Sequence, residues 1–270
     1  MKPEDLKRVV QDKYGQIARQ SLLHPQNSCC GGSSCCDGFE ISMIGDEYTL
    51  VEGYNPEADL GLGCGLPTQY AGIKEGDHVL DLGSGAGNDC FVARSIVGET
   101  GWVTGLDFTA DMIDKARSNN NRMGYQNVEF IQGDIENMPL PGSRYDVVVS
   151  NCVLNLVPDK NRAFSEVMRV LKSDGHFCIS DVVTKGQLPE SLRKDAEMYA
   201  GCVAGAMGMQ DYLLLIAQQG FENIVIHKQK VIEIPEQVLT AFLSKDEASE
   251  FKSGKKGIFS ITISGQKKNL

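Results

Sequence analysis

The chain has 270 residues, of which 41% are hydrophobic and 23% are charged, and its formal net charge is -10. This composition is that of a globular protein with room for a sizeable core, and it excludes disordered and fibrous classes. No run of lysine or arginine is long enough to neutralise several phosphates, so we predict small-molecule partners and no nucleic acid.

Targeting and membrane signals are not evident in the sequence. No apolar stretch approaches membrane-spanning length, and residues 1–20 mix charged with apolar side chains, unlike a signal peptide. We therefore expect a cytoplasmic protein with no membrane partner. The nine cysteines are odd in number, which favours reduced thiols over a disulfide framework. Clustered cysteines in a reducing compartment indicate soft-metal or redox chemistry.

The N-terminal segment, residues 1–46, is predicted to contain a helix and a cysteine-bearing loop. The helix covers about residues 4–19, where apolar residues recur at helical spacing; they are Leu6, Val9, Val10, Tyr14 and Ile17. The loop at residues 28–36 has small residues, no periodicity and four cysteines, namely Cys29, Cys30, Cys35 and Cys36.

The central segment, residues 47–185, is predicted to be a doubly wound, Rossmann-like α/β sheet. Its apolar runs are nearly continuous, as in parallel strands buried on both faces, and helical periods separate them. The runs lie at residues 78–82, 102–106, 128–131, 145–149 and 177–183. Ligands of such sheets bind beyond the carboxyl ends of the strands.

The pattern weakens in the last segment, residues 186–270, where we predict a small α+β extension. Helical periods occur near residues 190–202 and 211–219, and strand-like runs occur at 224–226 and 258–263. We expect this segment to pack against the sheet core.

A glycine-rich turn follows the first predicted strand. Gly83, Gly85 and Gly87 let the backbone turn sharply and let a ligand approach closely. The spacing is G-x-G-x-G and not the G-x-G-x-x-G of dinucleotide sites. Asp81 precedes it, and a carboxylate suits a cofactor that carries an ammonium and a sulfonium group but no phosphate.

Acidic residues also follow the second and third predicted strands. Asp107 is placed to accept hydrogen bonds from ribose hydroxyls. At the third strand end, Asp134 or Glu136 is placed to take an adenine amino group while Ile135 covers the ring.

Residues 76–183 resemble the class I S-adenosylmethionine-dependent methyltransferases. The resemblance implies that S-adenosylmethionine is the cofactor. On that family's pattern Asp81 and Gly83 face the methionine moiety, Asp107 the ribose and residues 134–136 the adenine. Asn151 then lies near the transferred methyl group.

Three cysteines stand where a substrate would lie. Many methyltransferases use a histidine or carboxylate base near the fourth strand, whereas this chain has Cys152 there. Cys64 lies in a glycine-flanked loop before the core, and Cys202 lies among small residues after it. Three soft thiolates from separate loops suit a pyramidal trivalent centre, whose lone pair is a nucleophile that needs no base.

Residues 54–65, 150–157 and 197–206 are similar to the arsenite methyltransferases, a resemblance that runs from about residue 48 to 206. It implies methyl transfer to arsenic(III), with arsenite or methylarsenite as substrate. Cys152 and Cys202 then hold the arsenic, and Cys64 takes part in both binding and redox turnover. Two protein thiols return the electrons that arsenic loses, and a thiol reductant of the thioredoxin or glutathione type reduces the resulting disulfide.

Several cysteines and one histidine admit more than one interpretation. The loop at residues 28–36 fits a zinc site poorly, because zinc sites usually show C-x-x-C pairs. It could instead deliver a thiol to Cys64, with Cys30 and Cys35 as possible arsenic ligands, or carry plain surface cysteines. Cys90 and Cys178 are assigned to the core. His176 and Glu197 are expected near the arsenic pocket, in an organising or a merely structural role.

Two other functions remain open at this stage. A carbon or oxygen methyltransferase acting on a quinone-like molecule would share the cofactor site but leave the cysteines without a role. A non-catalytic metalloid-binding protein would use the thiols but would have no need of the glycine turn.

Overall fold

The computed structural model describes residues 3–23, 48–186, 205–233 and 243–268. The cysteine loop at residues 28–36, the helix predicted over residues 190–202, and Cys202 lie outside these ranges.

The helices follow the predicted alternation with strands. They are α1 (Pro3–Leu23), the short α2 (Pro67–Tyr70), α3 (Asn88–Val97), α4 (Ala110–Met123), α5 (Lys160–Val170), α6 (Met209–Gln218) and α7 (Lys245–Lys252). A single 3-10 turn covers Leu154–Leu156. Among the described helices, none combines the length and apolar character needed to cross a membrane.

The strands are β1 (His78–Leu82), β2 (Trp102–Asp107), β3 (Val128–Gln132), β4 (Tyr145–Asn151), β5 (Leu171–Lys185), β6 (Met207–Gly208), β7 (Phe221–Val231) and β8 (Gly257–Lys267). All five strands predicted in the central segment are present. Each is longer than or equal to its apolar run, because the ends of a strand need not be apolar.

The strands form one sheet in the order β3-β2-β1-β4-β5-β8-β7, with β6 paired to β5. Strands β1 to β5 are parallel, and β8 runs antiparallel to both β5 and β7. The predicted doubly wound α/β fold is confirmed. The C-terminal strands extend the sheet, since β8 pairs with β5 from His176 to Lys185. The segment boundaries at residues 46 and 185 stay predictions.

Two apolar clusters cover the two faces of this sheet. One contains Phe164 of α5 and Tyr212 of α6, and the other contains Phe91 of α3 and Ile113 of α4. Helices therefore pack on both faces, as continuous apolar strands require. The carboxyl ends of β1, β2 and β4 are left open between the helix layers.

Candidate functional site

A cavity of about 1120 Å³, including the part that opens to solvent, lies at the carboxyl ends of β1, β2 and β4. Eight of the predicted site residues line it. They are Asp81, Gly83, Gly85, Asp107, Asp134, Ile135, Asn151 and Cys152. Gly87, Glu136 and Cys64 are not among its lining residues.

The glycine turn lines the cavity, and its backbone lies close to the loop that follows β4. Gly83 has φ of 68°, and a side chain there would collide with Val153. Its N–H donates to the carbonyl of Leu106 at 2.7 Å, which holds the turn against β2. Gly87 directly precedes α3 with φ of 99°, and a side chain there would meet Phe130.

The lining is strongly acidic. It contains five aspartates, Asp59, Asp81, Asp89, Asp107 and Asp134, and one lysine, Lys7. Carboxylates held away from water are costly unless a cation or hydrogen-bond donor compensates them. The cavity is therefore suited to a ligand that brings positive charge.

Asp81 is the most buried carboxylate of this acidic lining, and Asp89 lies within electrostatic reach of it. Burial raises the pKa of the Asp81 carboxyl well above its ordinary value, and the charge of Asp89 raises it further. Burial likewise raises the pKa of Asp89 to about 6, although hydrogen bonds from Asn151 and Tyr48 act to lower it. Within the described ranges, the Cys90 thiol is the only side chain that donates to Asp81, at 3.2 Å. A ligand ammonium would relieve both carboxylates.

Asp107 connects the glycine turn to β2. Its two carboxylate oxygens accept from the N–H groups of Gly85, at 3.1 Å, and Thr109, at 2.8 Å. Burial raises its pKa, and these backbone donors oppose that effect. Each oxygen keeps acceptor capacity, since a carboxylate has about four lone-pair sites.

Asn151 joins the acidic cavity to the Cys64 loop. Its Oδ1 accepts from the backbone N–H of Cys64 at 2.9 Å. Its Nδ2 lies 2.8 Å from the carbonyl of Gly65 and 3.1 Å from Oδ2 of Asp89. The hydroxyl of Tyr48 completes this cluster, at 2.6 Å from Asn151 Nδ2 and 2.9 Å from both oxygens of Asp89.

Cys64 is held from two sides. Besides the bond from its N–H to Asn151, its carbonyl accepts from the hydroxyl of Ser260, on β8, at 2.6 Å. A side chain at Gly65 would meet Ser180 on β5, so the loop can lie this close to the sheet only with glycine at that position. Cys64 is 3% exposed.

Cys152 lies at the end of β4 in a left-handed conformation, with φ of 61°. Its N–H donates to the carbonyl of Ser180 at 2.8 Å, and the residue is 4% exposed. Burial raises the pKa of Tyr212 well above its usual range, with further contributions from Asp181, Cys64 and Cys152. Tyr212 is thus within electrostatic reach of both thiols.

Tyr212 and Asp181 form a buried pair behind the two cysteines. The Tyr212 hydroxyl donates to Oδ2 of Asp181 at 3.0 Å. Burial raises the pKa of Asp181 to about 7, although donors including Val182, Tyr212 and Asn155, together with Lys160, act to lower it. Asp181 thereby ties β5 to the loop that follows Cys152.

Among the described residues, no group of three or more His, Cys, Asp or Glu side chains is placed to hold a metal ion. Cys202, the third predicted ligand, is outside the described ranges, as are Cys30 and Cys35. The described chain resumes at Gly205, whose backbone lies against the carbonyl of Asn155.

Three further expectations concern residues outside the cavity. Cys90 and Cys178 are fully buried, which confirms their assignment to the core. The expected position of His176 near the pocket is wrong: it pairs with Val147, well before the end of β4, and its Nε2 lies 2.5 Å from the carbonyl of Ala71. Its role there is structural.

The sequence analysis missed several residues of the site. Asp89 comes directly after the glycine turn, so its position could have indicated a role. Asp59 lies within residues 54–65 but was given no role, Tyr48 lies outside every motif, and only the tertiary fold brings the two to the cavity. Helix α1 was predicted only as a helix, with no role in the site, yet Lys7, Val10 and Tyr14 line the cavity.

Comparison with known proteins places this arrangement in context. A family model described as a methyltransferase domain matches residues 73–220. The arsenite methyltransferase of Halobacterium salinarum is 38% identical over 93% of this chain and 62% of that protein. The arsenite methyltransferase of Aquipseudomonas alcaligenes is 34% identical over 85% of this chain and 66% of that protein.

A solved structure agrees with these relatives. The crystal structure of an arsenic(III) S-adenosylmethionine methyltransferase from Chlamydomonas reinhardtii matches with a TM-score of 0.61 and 38% identity. The match covers 75% of this chain and 66% of that one. The chain thus spans 62% to 66% of the length of these three proteins.

Proposed function

The chain belongs to the methyltransferase domain family, and from this premise we propose that it transfers the methyl group of S-adenosylmethionine to arsenic(III) held by cysteine thiolates. The observation that carries the proposal is the position of Asn151. Its side chain binds the backbone of Cys64 and the carboxylate of Asp89, and the next residue in the chain is Cys152. Two buried thiols and the acidic cavity therefore meet at one strand end.

The acidic cavity fits the proposed cofactor. S-adenosylmethionine supplies an electrophilic methyl group on a positively charged sulfonium, and it also carries an ammonium group. Asp81 and Asp89 are the buried carboxylates best placed to compensate positive charge. Asp107 keeps acceptor sites for ribose hydroxyls, and Ile135 lines the cavity beside Asp134. The turn at Gly83 allows the close approach that such a ligand needs.

Thiol ligation of the substrate follows from the surroundings of the cysteines. Cys64 and Cys152 are buried, and hydrogen bonds from the backbone N–H of each residue hold the two loops in place. Soft thiolates favour a soft trivalent centre over hard ions. Cys202 is proposed as the third ligand. Three residues of chain reach at most about 11 Å, and Gly205, three residues later, lies against the loop that follows Cys152.

Positioning supplies most of the proposed catalysis. A well-aligned intramolecular reaction can lower the barrier by about 7 to 11 kcal/mol relative to a bimolecular one. The arsenic lone pair forms a bond to the methyl carbon while the bond from that carbon to the sulfonium breaks. Arsenic formally loses two electrons, and two protein thiolates return them by joining in a disulfide. A thiol reductant, of the thioredoxin or glutathione type, then restores the thiols.

A carbon or oxygen methyltransferase acting on a quinone-like molecule is the competing function. That chemistry needs a base to remove a proton from the substrate. Aspartates but no histidine line the described part of the cavity, and Cys152 occupies the position next to the strand end. Of the two methyl-transfer reactions, only the arsenic reaction gives the cysteines a role, which is why it is the preferred proposal.

One assay tests the proposal directly. The purified chain is incubated with arsenite, S-adenosylmethionine and excess thiol, and arsenic species are identified by mass spectrometry. We expect methylated arsenic from the wild type and none from Cys152→Ser, because a hydroxyl cannot replace a thiolate on a soft centre. Cys178→Ala, which alters a buried core cysteine away from the cavity, should keep the activity. Absence of methylated arsenic from the wild type would contradict the proposal.

A further inference from the structure

Helix α1 forms one wall of the acidic cavity. Lys7, Val10 and Tyr14, spaced three and four residues apart, lie on one helix face and line the cavity. The helix is attached along the segment that follows β2. Gln11 Nε2 donates to the carbonyl of Phe108 at 3.2 Å, and Arg19 lies 2.5 Å from Oδ2 of Asp111.

Lys7 holds two carboxylates at the end of β3 in fixed orientations. Its Nζ donates to Oδ2 of Asp134 at 2.6 Å and also to Oε2 of Glu136. The other oxygen of Asp134 accepts from the N–H of Glu136 at 2.9 Å. The other oxygen of Glu136 accepts from the N–H of Asp159 at 2.7 Å. Of the two carboxylates, only that of Asp134 faces the cavity.

This arrangement still leaves Asp134 able to bind a ligand. Lys7 and the Glu136 N–H occupy one acceptor site on each oxygen, and a carboxylate has about four such sites. The remaining lone pairs have a defined direction because the carboxylate plane is held from both sides. Burial acts to lower the pKa of Lys7, but hydrogen bonds to the two carboxylates outweigh it and hold the pKa above its ordinary value. The lysine is therefore charged at neutral pH.

Stability alone does not account for the contact between Lys7 and Asp134. The Lys7 side chain is 29% exposed and that of Asp134 is 43% exposed. Ion pairs with this degree of exposure contribute only about 0 to 1 kcal/mol. Among the residues described as lining the cavity, Lys7 is nevertheless the only lysine or arginine. Its position at the Asp134 side suggests a role in binding.

We propose that Lys7 is a positioning residue that aims the Asp134 carboxylate at the exocyclic amino group of the cofactor's adenine, and so sets the preference for adenine over hypoxanthine. The inference rests on the proposed function, because it takes the adenine to lie between Ile135 and α1. A fixed carboxylate accepts a hydrogen bond from an amino group. It repels the carbonyl oxygen that hypoxanthine carries at the same position, and an unpaired acceptor in such a site is costly.

The test compares two ligands that differ at that position and at the neighbouring ring nitrogen, which carries a hydrogen in hypoxanthine but not in adenine. S-adenosylhomocysteine and S-inosylhomocysteine are titrated by calorimetry into the wild-type chain, Lys7→Met, Lys7→Arg and Lys13→Met. Lys13→Met is the matched control, since it makes the same change at an exposed position of the same helix. Circular dichroism and thermal melting check that each variant is folded.

We expect the wild type to prefer the adenosyl ligand by about tenfold or more, as one hydrogen bond to a charged group implies. Lys7→Met should reduce this preference at least fivefold, mainly by weakening the adenosyl ligand. Lys7→Arg should restore most of it, and Lys13→Met should leave it unchanged. If Lys7→Met lowered the affinity for both ligands equally, α1 would only line the cavity and would have no positioning role, and the inference would be overturned.

Other outcomes separate this inference from the proposed function. An unchanged preference in Lys7→Met, with tight binding of the adenosyl ligand in all four proteins, would overturn the role of Lys7 alone. Failure of the wild type to bind either ligand would overturn the proposed cofactor and, with it, the inference.

Discussion

Asn151→Ala removes a side chain that contacts both the Cys64 loop and the acidic cavity. The substitution deletes hydrogen bonds to the N–H of Cys64, the carbonyl of Gly65 and the carboxylate of Asp89. Neutral hydrogen bonds contribute about 0.5 to 1.5 kcal/mol each, and those to charged groups about 1.5 to 3 kcal/mol. The sum is about 4 kcal/mol, part of which water recovers because Asn151 is only partly buried.

The loss should appear in substrate binding more than in global unfolding. β4 is paired on both sides, so it should stay in the sheet when the Asn151 side chain is lost, and the change should fall on the loop at residues 61–65. Even a loss of 1.4 kcal/mol corresponds to a tenfold change in an equilibrium constant. We therefore expect arsenite to bind at least tenfold more weakly to Asn151→Ala than to the wild type.

Calorimetric titration of arsenite under reducing conditions measures this effect. Asn120→Ala is the matched control, because the Asn120 amide donates to the carbonyls of Tyr125 and Val128, away from the cysteines. The control should lose stability but keep its affinity for arsenite. Wild-type affinity in Asn151→Ala would refute the idea that this side chain positions Cys64.

Three further predictions concern the cysteines and the carboxylates. Cys64→Ser should lose activity on arsenite, which has three exchangeable positions, but keep measurable activity on methylarsenite, which has two; equal loss on both, assayed with excess reductant, would contradict this. Asp107→Asn should weaken S-adenosylhomocysteine binding by about 2 to 3 kcal/mol in calorimetry while arsenite binding persists. Because burial raises the pKa of Asp89 to about 6, a ligand ammonium should bind more tightly as pH rises through 6, by up to about tenfold per unit. Asp89→Asn should weaken that dependence, and an unchanged profile would exclude Asp89 as its source.

The central strands were predictable from the sequence because a strand buried on both faces has a nearly continuous run of apolar residues. A strand such as β4 has an almost continuous apolar run, and the acids at the ends of β1 and β2 follow such runs directly. The positions of Asp81 and Asp107 at one sheet edge then follow from parallel pairing. The glycine turn was equally predictable, since Gly83 and Gly85 have positive φ angles that favour glycine.

Other parts of the site depend on contacts between distant segments, which spacing does not encode. The hydrogen bond from Cys64 to Asn151 joins residues 87 positions apart. The stripe of α1 predicted a helix but not the surface that it covers, and Val9, counted on that stripe, is 52% exposed. The role of Lys7 in the site was not predictable for a related reason, because a lysine in an amphipathic helix is ordinarily exposed to solvent.

Cys152 has a backbone conformation that normally favours glycine. Three described non-glycine residues have positive φ, and the other two, Ser143 and Asn223, are exposed. Such a conformation costs on the order of 1 to 3 kcal/mol for a residue with a side chain. Glycine would avoid the cost, and the chain has glycine at the neighbouring close contact, Gly83, where a side chain has no place. A cysteine in this buried, left-handed position fits the proposed role of its thiol as an arsenic ligand, because the backbone alone favours glycine.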